Sequence, residues 1–488
     1  MVTIRFAKDG DTLVKSLDFL LILAPQSLLG SDAGKALLPK QYAETICELA
    51  EGMEPGRYGT LRETRCNAGK LRLVLALLPD EVSRYVGPTR GLLARDLVHK
   101  SGIAQVKKGG ALMLLEEAEH WLANAAAIVR ACPLFDLKTG KPKTAGTLTL
   151  CGVVPGKGPV SVERSWRSTI GATRAAARLV DMPPSDLDPA GFSREAKALL
   201  RGVPGVRLRE ITGNKLLEEK LGGIHGVGRC AKAQPRLLIA SLGSSRSRGN
   251  HVCLVGKGVT FDTGGLNLKP RTGMGGMKSD MGGAAAVLGA FRALAGAGFQ
   301  GRVTALICLA ENAIGPLAVK PDDVLVMHSG KTVEINNTDA EGRLLLADGV
   351  SYAARKLKAD IIIDAATLTG AQGIATGRGH AAIVSNDAVL ERMLIETGFD
   401  TGDLVHPLPF APELYQREFT SQVADMKNSV KDRANAQSSC AAQFIYEHLP
   451  ENDKLMWAHV DLAKPAFLDE RGTGYGVPLL SQAVWRLA

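Results

Sequence analysis

The sequence predicts an α/β protein of two domains: a smaller N-terminal α/β domain, and a larger C-terminal domain whose mostly parallel central sheet is flanked by helices. Three observations predict it. Short apolar runs alternate with segments of helical periodicity, most regularly after residue 186, which is the pattern of strand–helix–strand crossovers. One helix-patterned stretch stops at Pro183-Pro184, where the ring and the missing N–H cannot continue a helix. Hydrophobic residues make up 45% and charged residues 22% of 488. Those proportions belong to a folded globular chain and exclude a disordered, collagen-like or coiled-coil one.

The elements follow in order. Residues 19–24 (FLLILA) and 71–78 (LRLVLALL) read as buried strands. Residues 111–131, rich in Leu, Ala and Glu, read as a helix, and 152–159 (GVVPGKGP) as a loop. The N-terminal domain is therefore set at 1–161, with a connecting helix across 162–184. The C-terminal domain, 185–488, offers strands at 237–242, 252–255, 303–309, 361–363 and 381–384, and helices at 283–295, 344–356 and 434–448. Ligands of such sheets bind beyond the carboxyl ends of the strands.

Charge and cysteine usage narrow the class. The net charge of +9 permits an acidic partner without requiring one. Arg164, Arg167, Arg174 and Arg178 fall within about 80° of a helical wheel. They form either a basic stripe for nucleic acid or a neighbouring subunit, or a solvated helix face. The run Arg246-Ser247-Arg248 is a weaker signal of the same kind. The 8 cysteines include no CxxC pair, and several sit in apolar runs, which points to a reducing compartment. No secretory h-region and no apolar run of membrane-spanning length occurs, so a cytoplasmic protein with no membrane span is expected.

The chemistry concentrates in residues 255–283 and 336–346. Asp339, Glu341 and Arg343 are spaced by two, which in an extended segment projects all three to one side. Two carboxylates so placed repel unless a cation or an ion-pair network lies between them. A surface turn paired with its own arginine is the alternative. In the first stretch, Lys257 and Asp262 are flanked by Gly256, Gly258, Gly264 and Gly265, and Lys269 follows. Asp280 precedes Met281-Gly282-Gly283, where an aspartate is commonly a helix cap. The glycines fit neither GxGxxG, which fails at Phe261, nor GxxxxGK[ST], so a nucleotide loop is weakly supported.

Asp262, Asp280, Asp339 and Glu341 form an oxygen-rich set with no histidine in either stretch. Such a set suits Mg²⁺, Mn²⁺ or a carboxylate-bound Zn²⁺ pair. Two such ions can share a water and lower its pKa, while Lys269 and Arg343 could stabilise charge on an attacked carbonyl. Residue chemistry alone reaches a dinuclear hydrolase with its substrate open. A two-metal phosphatase is a rival, one that would need phosphate-cradling backbone nests.

Four segments carry a resemblance: GKGVTFDTGG through MKSDMGG (256–283), NTDAEGRL (337–344), DAATLTGA (364–371), and WAHVDLA through TGYGVPLL (457–480). They resemble the leucyl aminopeptidase family, the M17 dinuclear metallo-aminopeptidases. Thr263 stands where serine is commoner. The likeness spans about 300 residues from the connector onward, and the first 150 residues carry no comparable motif.

The resemblance implies that Lys257, Asp262, Asp280, Asp339 and Glu341 hold two divalent metal ions per subunit. These would be Mn²⁺ or Zn²⁺, with Mg²⁺ or Co²⁺ as further candidates at an exchangeable site. Asp262 and Glu341 would bridge, Lys257 as the neutral amine and Asp280 would complete the tighter site, and Asp339 the exchangeable one. Lys269 would polarise the scissile carbonyl. Arg343 would hold a bicarbonate acting as general base. Met277, Asn337, Thr367, Leu368 and Gly370 would contact substrate. The segment 270–276 (PRTGMGG) departs from the family's usual serine- and alanine-containing sequence, which leaves the side-chain preference open. The implied activity is release of N-terminal, preferably leucine-like residues from short peptides by attack of a metal-bridging hydroxide, in a cytoplasmic homohexamer. The alternative is the same fold with an added nucleic-acid-binding role through its basic surface.

Overall fold

A computed structural model describes residues 2–140, 145–244, 247 and 249–488. Arg246 and Arg248 of the weaker basic run lie outside the described residues. The chain divides into two compact units, Met1–Ile170 with Thr397–Leu404, and Gly171–Glu396 with Val405–Ala488. The division falls inside one helix, Arg164–Asp181. The late segment belongs to the first unit through Arg130, whose guanidinium lies 2.6 Å from the Asp403 carboxylate, and through the Thr89 hydroxyl, which donates to Phe399 O.

In the first unit the sheet runs in the spatial order Val2–Phe6, Gly146–Val154, Lys108–Leu114, Phe19–Pro25, Leu71–Leu78, Thr60–Cys66. Every neighbouring pair in that order is parallel except the last. Strand residues alternate faces, and Phe19–Pro25 uses both. Phe19, Leu21 and Leu23 pack with Leu97 and Ile128, while Leu20, Ile22 and Ala24 pack with Tyr42 and Ile46. A strand buried on both sides reads as a continuous apolar run, as FLLILA does. Two expectations are corrected here. Residues 111–131 are not one helix: Lys108–Leu114 is a strand, and the helix is Trp121–Arg130. Residues 152–159 are not a simple loop either, because Gly146–Val154 runs into them and turns back onto Gly158–Pro159.

In the second unit eight strands form a sheet in the order Val405–Pro407, Ala381–Ser385, Met456–Asp461, Ile361–Ala366, His251–Asp262, Arg302–Asn312, Arg236–Leu242, Arg207–Thr212. The central four are mutually parallel. Antiparallel strands flank them, Ala381–Ser385 on one side and Arg236–Leu242 on the other. The strand His251–Asp262 has 12 residues, almost all buried. Cys253, Val255 and Val259 pack with Leu344, Ala347 and Val350 of helix Gly342–Arg355. On the opposite face lies helix Gly282–Ala297, so close that a Cβ on Gly256 would sit 2.7 Å from Ala284 Cα. At the start of this strand Asn250 donates to Leu487 O at 2.7 Å, which ties down the last helix, Val477–Leu487. The helix expected at 434–448 is the shorter Gln437–Tyr446, entered from Ala436 at φ +39°.

The arginine stripe is not a uniform solvated face. Arg174 is buried, and Arg178 is bound to Glu195 by two hydrogen bonds. Arg164 and Arg167 stay exposed. Among the described residues, no helix is long and apolar enough to cross a membrane.

Candidate active site

The carboxyl ends of the parallel strands in the second unit converge on a cavity of about 350 Å³. Asp262 ends one strand and Asp461 another, Asn312 ends a third, and Thr367 follows the fourth. All of the candidate metal, catalytic and substrate residues line this cavity: Lys257, Asp262, Lys269, Met277, Asp280, Asn337, Asp339, Glu341, Arg343, Thr367, Leu368 and Gly370.

Its floor is a buried charge cluster. Asp262, Asp280 and Glu341 each offer an oxygen within 4.8 Å of the other two. Lys257 Nζ lies 2.8 Å from Asp280 Oδ1 and 3.1 Å from Glu341 Oε1, and donates to Thr367 O at 2.9 Å. Lys269 Nζ lies 2.7 Å from Asp262 Oδ2 and 2.5 Å from Asp339 Oδ1. Asp339 stands outside the three-carboxylate group, on the more exposed side.

Burial, the largest influence, pushes the Asp280 carboxyl up, against the pull of Lys257. Burial and then like-charged Asp262 push Glu341 up, and burial raises Asp339. Burial acts to lower both lysines, but the carboxylates outweigh it and hold both ammonium groups above their ordinary value. Carboxylates so crowded and desolvated call for more positive charge than two ammonium groups supply.

The donor set fits divalent cations. Asp280 Oδ2 and Glu341 Oε2 are buried with no hydrogen-bond partner, and an orphaned buried carboxylate oxygen is costly. Hard oxygen donors of this kind are what Mg²⁺, Mn²⁺ and carboxylate-bound Zn²⁺ take. Lys257 reaches the cluster because residue 342 has no side chain. A Cβ there would sit 2.3 Å from Lys257 Cε. Arg343, in the first turn of the same helix, is buried, and burial lowers its guanidinium to about 10. Its Nη1 donates to Asn428 O, while its Nε has no partner, a site suited to an anion.

Two local readings change. Asp339, Glu341 and Arg343 do not share an extended segment. Asp339 lies in a turn, Glu341 directly precedes the helix, and Arg343 is inside it. Asp280 caps nothing: helix Gly282–Ala297 has no side-chain cap, and Asp280 Oδ1 instead takes Lys257 and the Thr367 hydroxyl.

Sequence reasoning missed the residues that hold these groups in place. Asn312 donates to Asp262 Oδ1 at 2.8 Å. Asn428 accepts from the N–H groups of Asn336 and Asn337 and donates to Asn337 O and Ala340 O. Asp461 accepts from the N–H groups of Leu368 and Thr369 and from the Thr369 hydroxyl. Thr263 keeps the hydrogen bonding open to a serine, donating to Asn312 O and accepting from Gly265 N–H.

A parallel sheet that gathers buried carboxylates and lysines beyond its strand ends is the arrangement of a metal-dependent hydrolase. Comparison with known proteins agrees. The model of the cytosol aminopeptidase family catalytic domain matches residues 174–481, and that of the M17 aminopeptidase N-terminal domain 2 matches 35–141. The chain belongs to the cytosol aminopeptidase family, M17, and is a metallo-exopeptidase. A mouse relative named probable aminopeptidase NPEPL1 is 46% identical over 415 residues, 83% of this chain and 78% of its own. Leucine aminopeptidase 1 of Caenorhabditis elegans is 40% identical over 410 residues, 83% of this chain and 82% of its own. The leucyl aminopeptidase of Trypanosoma brucei in complex with bestatin superposes with a TM-score of 0.90 at 34% identity, covering 100% of this chain and 96% of that one. The bottromycin maturation enzyme BotP in complex with Mn gives a TM-score of 0.77 at 27% identity, over 97% of this chain and 100% of that one.

Proposed function

We propose that this aminopeptidase releases N-terminal, preferably leucine-like residues from short peptides, with two divalent ions held by Lys257, Asp262, Asp280, Asp339 and Glu341. The observation that carries the reading is the buried cluster of Asp262, Asp280 and Glu341, with unpartnered oxygens on Asp280 and Glu341. Bound there, the ions would supply a nucleophilic water at neutral pH and draw electron density from the scissile carbonyl. Lys257 would enter their shell as the neutral amine, its proton displaced by the added positive charge. Mn²⁺ is the first candidate, as in the BotP complex, and Zn²⁺ the second.

Lys269, between Asp262 and Asp339, would donate to the carbonyl oxygen as negative charge grows on it. Arg343, with Nε directed at no protein acceptor, would hold bicarbonate as the proton acceptor. Asn337, Leu368 and Gly370 would orient the peptide, and Met277 would form an apolar wall for its first side chain. A homohexamer and a cytoplasmic site are carried over from the family resemblance. The nucleic-acid alternative is weakened, since half of the stripe that motivated it is buried or ion-paired.

The test is hydrolysis of leucine p-nitroanilide by chelator-stripped protein, before and after addition of Mn²⁺ or Zn²⁺. Turnover that returns only with metal is expected. Silence with every metal, in protein that remains folded, would sink the reading. Light scattering then checks for six copies.

A further inference from the structure

The floor of the cavity uses its charges internally, but the rim does not. The carboxylates lining the cavity are Asp262, Asp280, Asp339 and Glu341, and each is ion-paired with Lys257 or Lys269. Two more cations line it, Arg433 and Lys464. Both are exposed, whereas Lys257, Asp262, Asp280 and Glu341 are buried, so the two cations stand at the open side. Neither side chain has a hydrogen-bond or ion-pair partner among the described residues.

Lys464 is aimed rather than loose. Its backbone N–H donates to Gln372 Oε1 at 2.9 Å, and Gln372 is itself fixed by Gly377 O and His380 O. Its stem lies along helix Gly370–Ala375, where a Cβ on Gly373 would sit 2.4 Å from Lys464 Cγ. Arg433 approaches from the loop ahead of helix Gln437–Tyr446 and is near enough to Arg343 to repel it electrostatically. Two cations at one opening, neither of them ion-paired, favour an anion there.

We propose that Arg433 and Lys464 form a carboxylate-binding subsite at the rim. It would recognise a negative charge that the peptide carries on the leaving side of the scissile bond. The inference rests on the aminopeptidase reading of the same cavity. An extended residue advances about 3.3–3.6 Å, so a peptide attacked at the floor brings its next residues to the rim. The charge has two sources of one chemistry: the C-terminal carboxylate of a two- or three-residue peptide, or an acidic side chain just past the cleaved bond. A cavity of about 350 Å³ is at the small end of ligand sites and suits such short substrates.

The experiment compares kcat/KM for Leu-Gly against Leu-Gly-amide, and for Leu-Asp-amide against Leu-Asn-amide, in Mn²⁺-loaded enzyme. The wild type and the double variant R433Q/K464Q are both assayed. The wild type should favour the charged member of at least one pair by about tenfold or more, mostly through KM, as expected for charge-assisted hydrogen bonds. The first pair reports the peptide terminus and the second the side chain. In the double variant the ratio should fall toward one, and because it is taken within each protein, a general loss of activity cancels. Wild-type ratios near one, or a ratio that survives the double substitution, overturn the subsite while leaving the aminopeptidase reading intact. No cleavage of any of the four peptides overturns both.

Discussion

Lys269 touches Asp262 and Asp339 at once, so its ammonium sits at the boundary between the buried group and the more exposed carboxylate. If it stabilises charge that grows only as the carbonyl is attacked, Lys269→Ala should lower kcat by about 10²–10³-fold, with a smaller change in KM. Equal kcat in the variant would remove it from the chemistry. Gly342→Ala is a sharper probe, because the added methyl collides with the Lys257 stem rather than with backbone. Expected is loss of metal-supported activity with a nearly unchanged melting temperature, and calorimetric titration with Mn²⁺ would show the weakened binding directly. The carboxylates and lysines were legible because they lie in contiguous motifs. Asn428 and Asp461 were not, since they act on partners 85 to 93 residues away, and no spacing in the sequence links such positions. Arg433 and Lys464 were silent because they meet at one cavity only through the fold, 31 residues apart in a chain where no motif links them.

At the level of elements, the functional geometry depends on a helix pressed against the central strands. A Cβ on Gly283 would lie 2.0 Å from Ala365 O, a backbone atom that cannot swing aside. Gly283→Ala should therefore push helix Gly282–Ala297 off strand Ile361–Ala366. Overpacking of this kind costs about 1–3 kcal/mol, which in a unit this large lowers the melting temperature by several degrees. An unchanged melting curve would show that the two elements can part without cost. The strands at 237–242, 361–363 and 381–384 were readable from their apolar runs. The strand Met456–Asp461 was not read as one, because Trp457, His459 and Asp461 interrupt the hydrophobic signal. Those side chains are buried for their hydrogen bonds, Trp457 and His459 to Asp364 and Asp461 to the 368–369 backbone. Residues 111–131 misled because the strand Lys108–Leu114 leads toward an alanine-rich helix with no proline between them.

Across the molecule, acid should act through histidines that the fold keeps neutral. Burial lowers His251 and His328 to about 4, and His448 to about 3. In the unfolded chain each titrates near 6.5. Unfolding below that pH therefore takes up extra protons, and the stability they lend above about pH 6.5 is lost progressively as pH falls toward 4. The denaturation midpoint should drop between pH 7 and pH 5. His448→Asn, which can keep a contact to Ser329, should flatten that slope by about one proton. An identical slope in the variant would exclude His448 as a contributor. The architecture was predictable at this scale because alternating periodicity specifies an α/β sheet. The placement of Thr397–Leu404 in the first unit was not, since it rests on contacts such as Arg130 with Asp403 across 273 residues.

The hydrogen bond from Asn250 to Leu487 O puts the end of the last helix beside the amino end of strand His251–Asp262. The chemistry gathers at the other end, and a strand of 12 residues at about 3.3 Å per residue spans roughly 35 Å. A fluorophore, affinity handle or solid support attached at the end of helix Val477–Leu487 would thus be anchored on the side away from the opening. Each subunit so tethered would keep the mouth of its cavity clear of the attachment point.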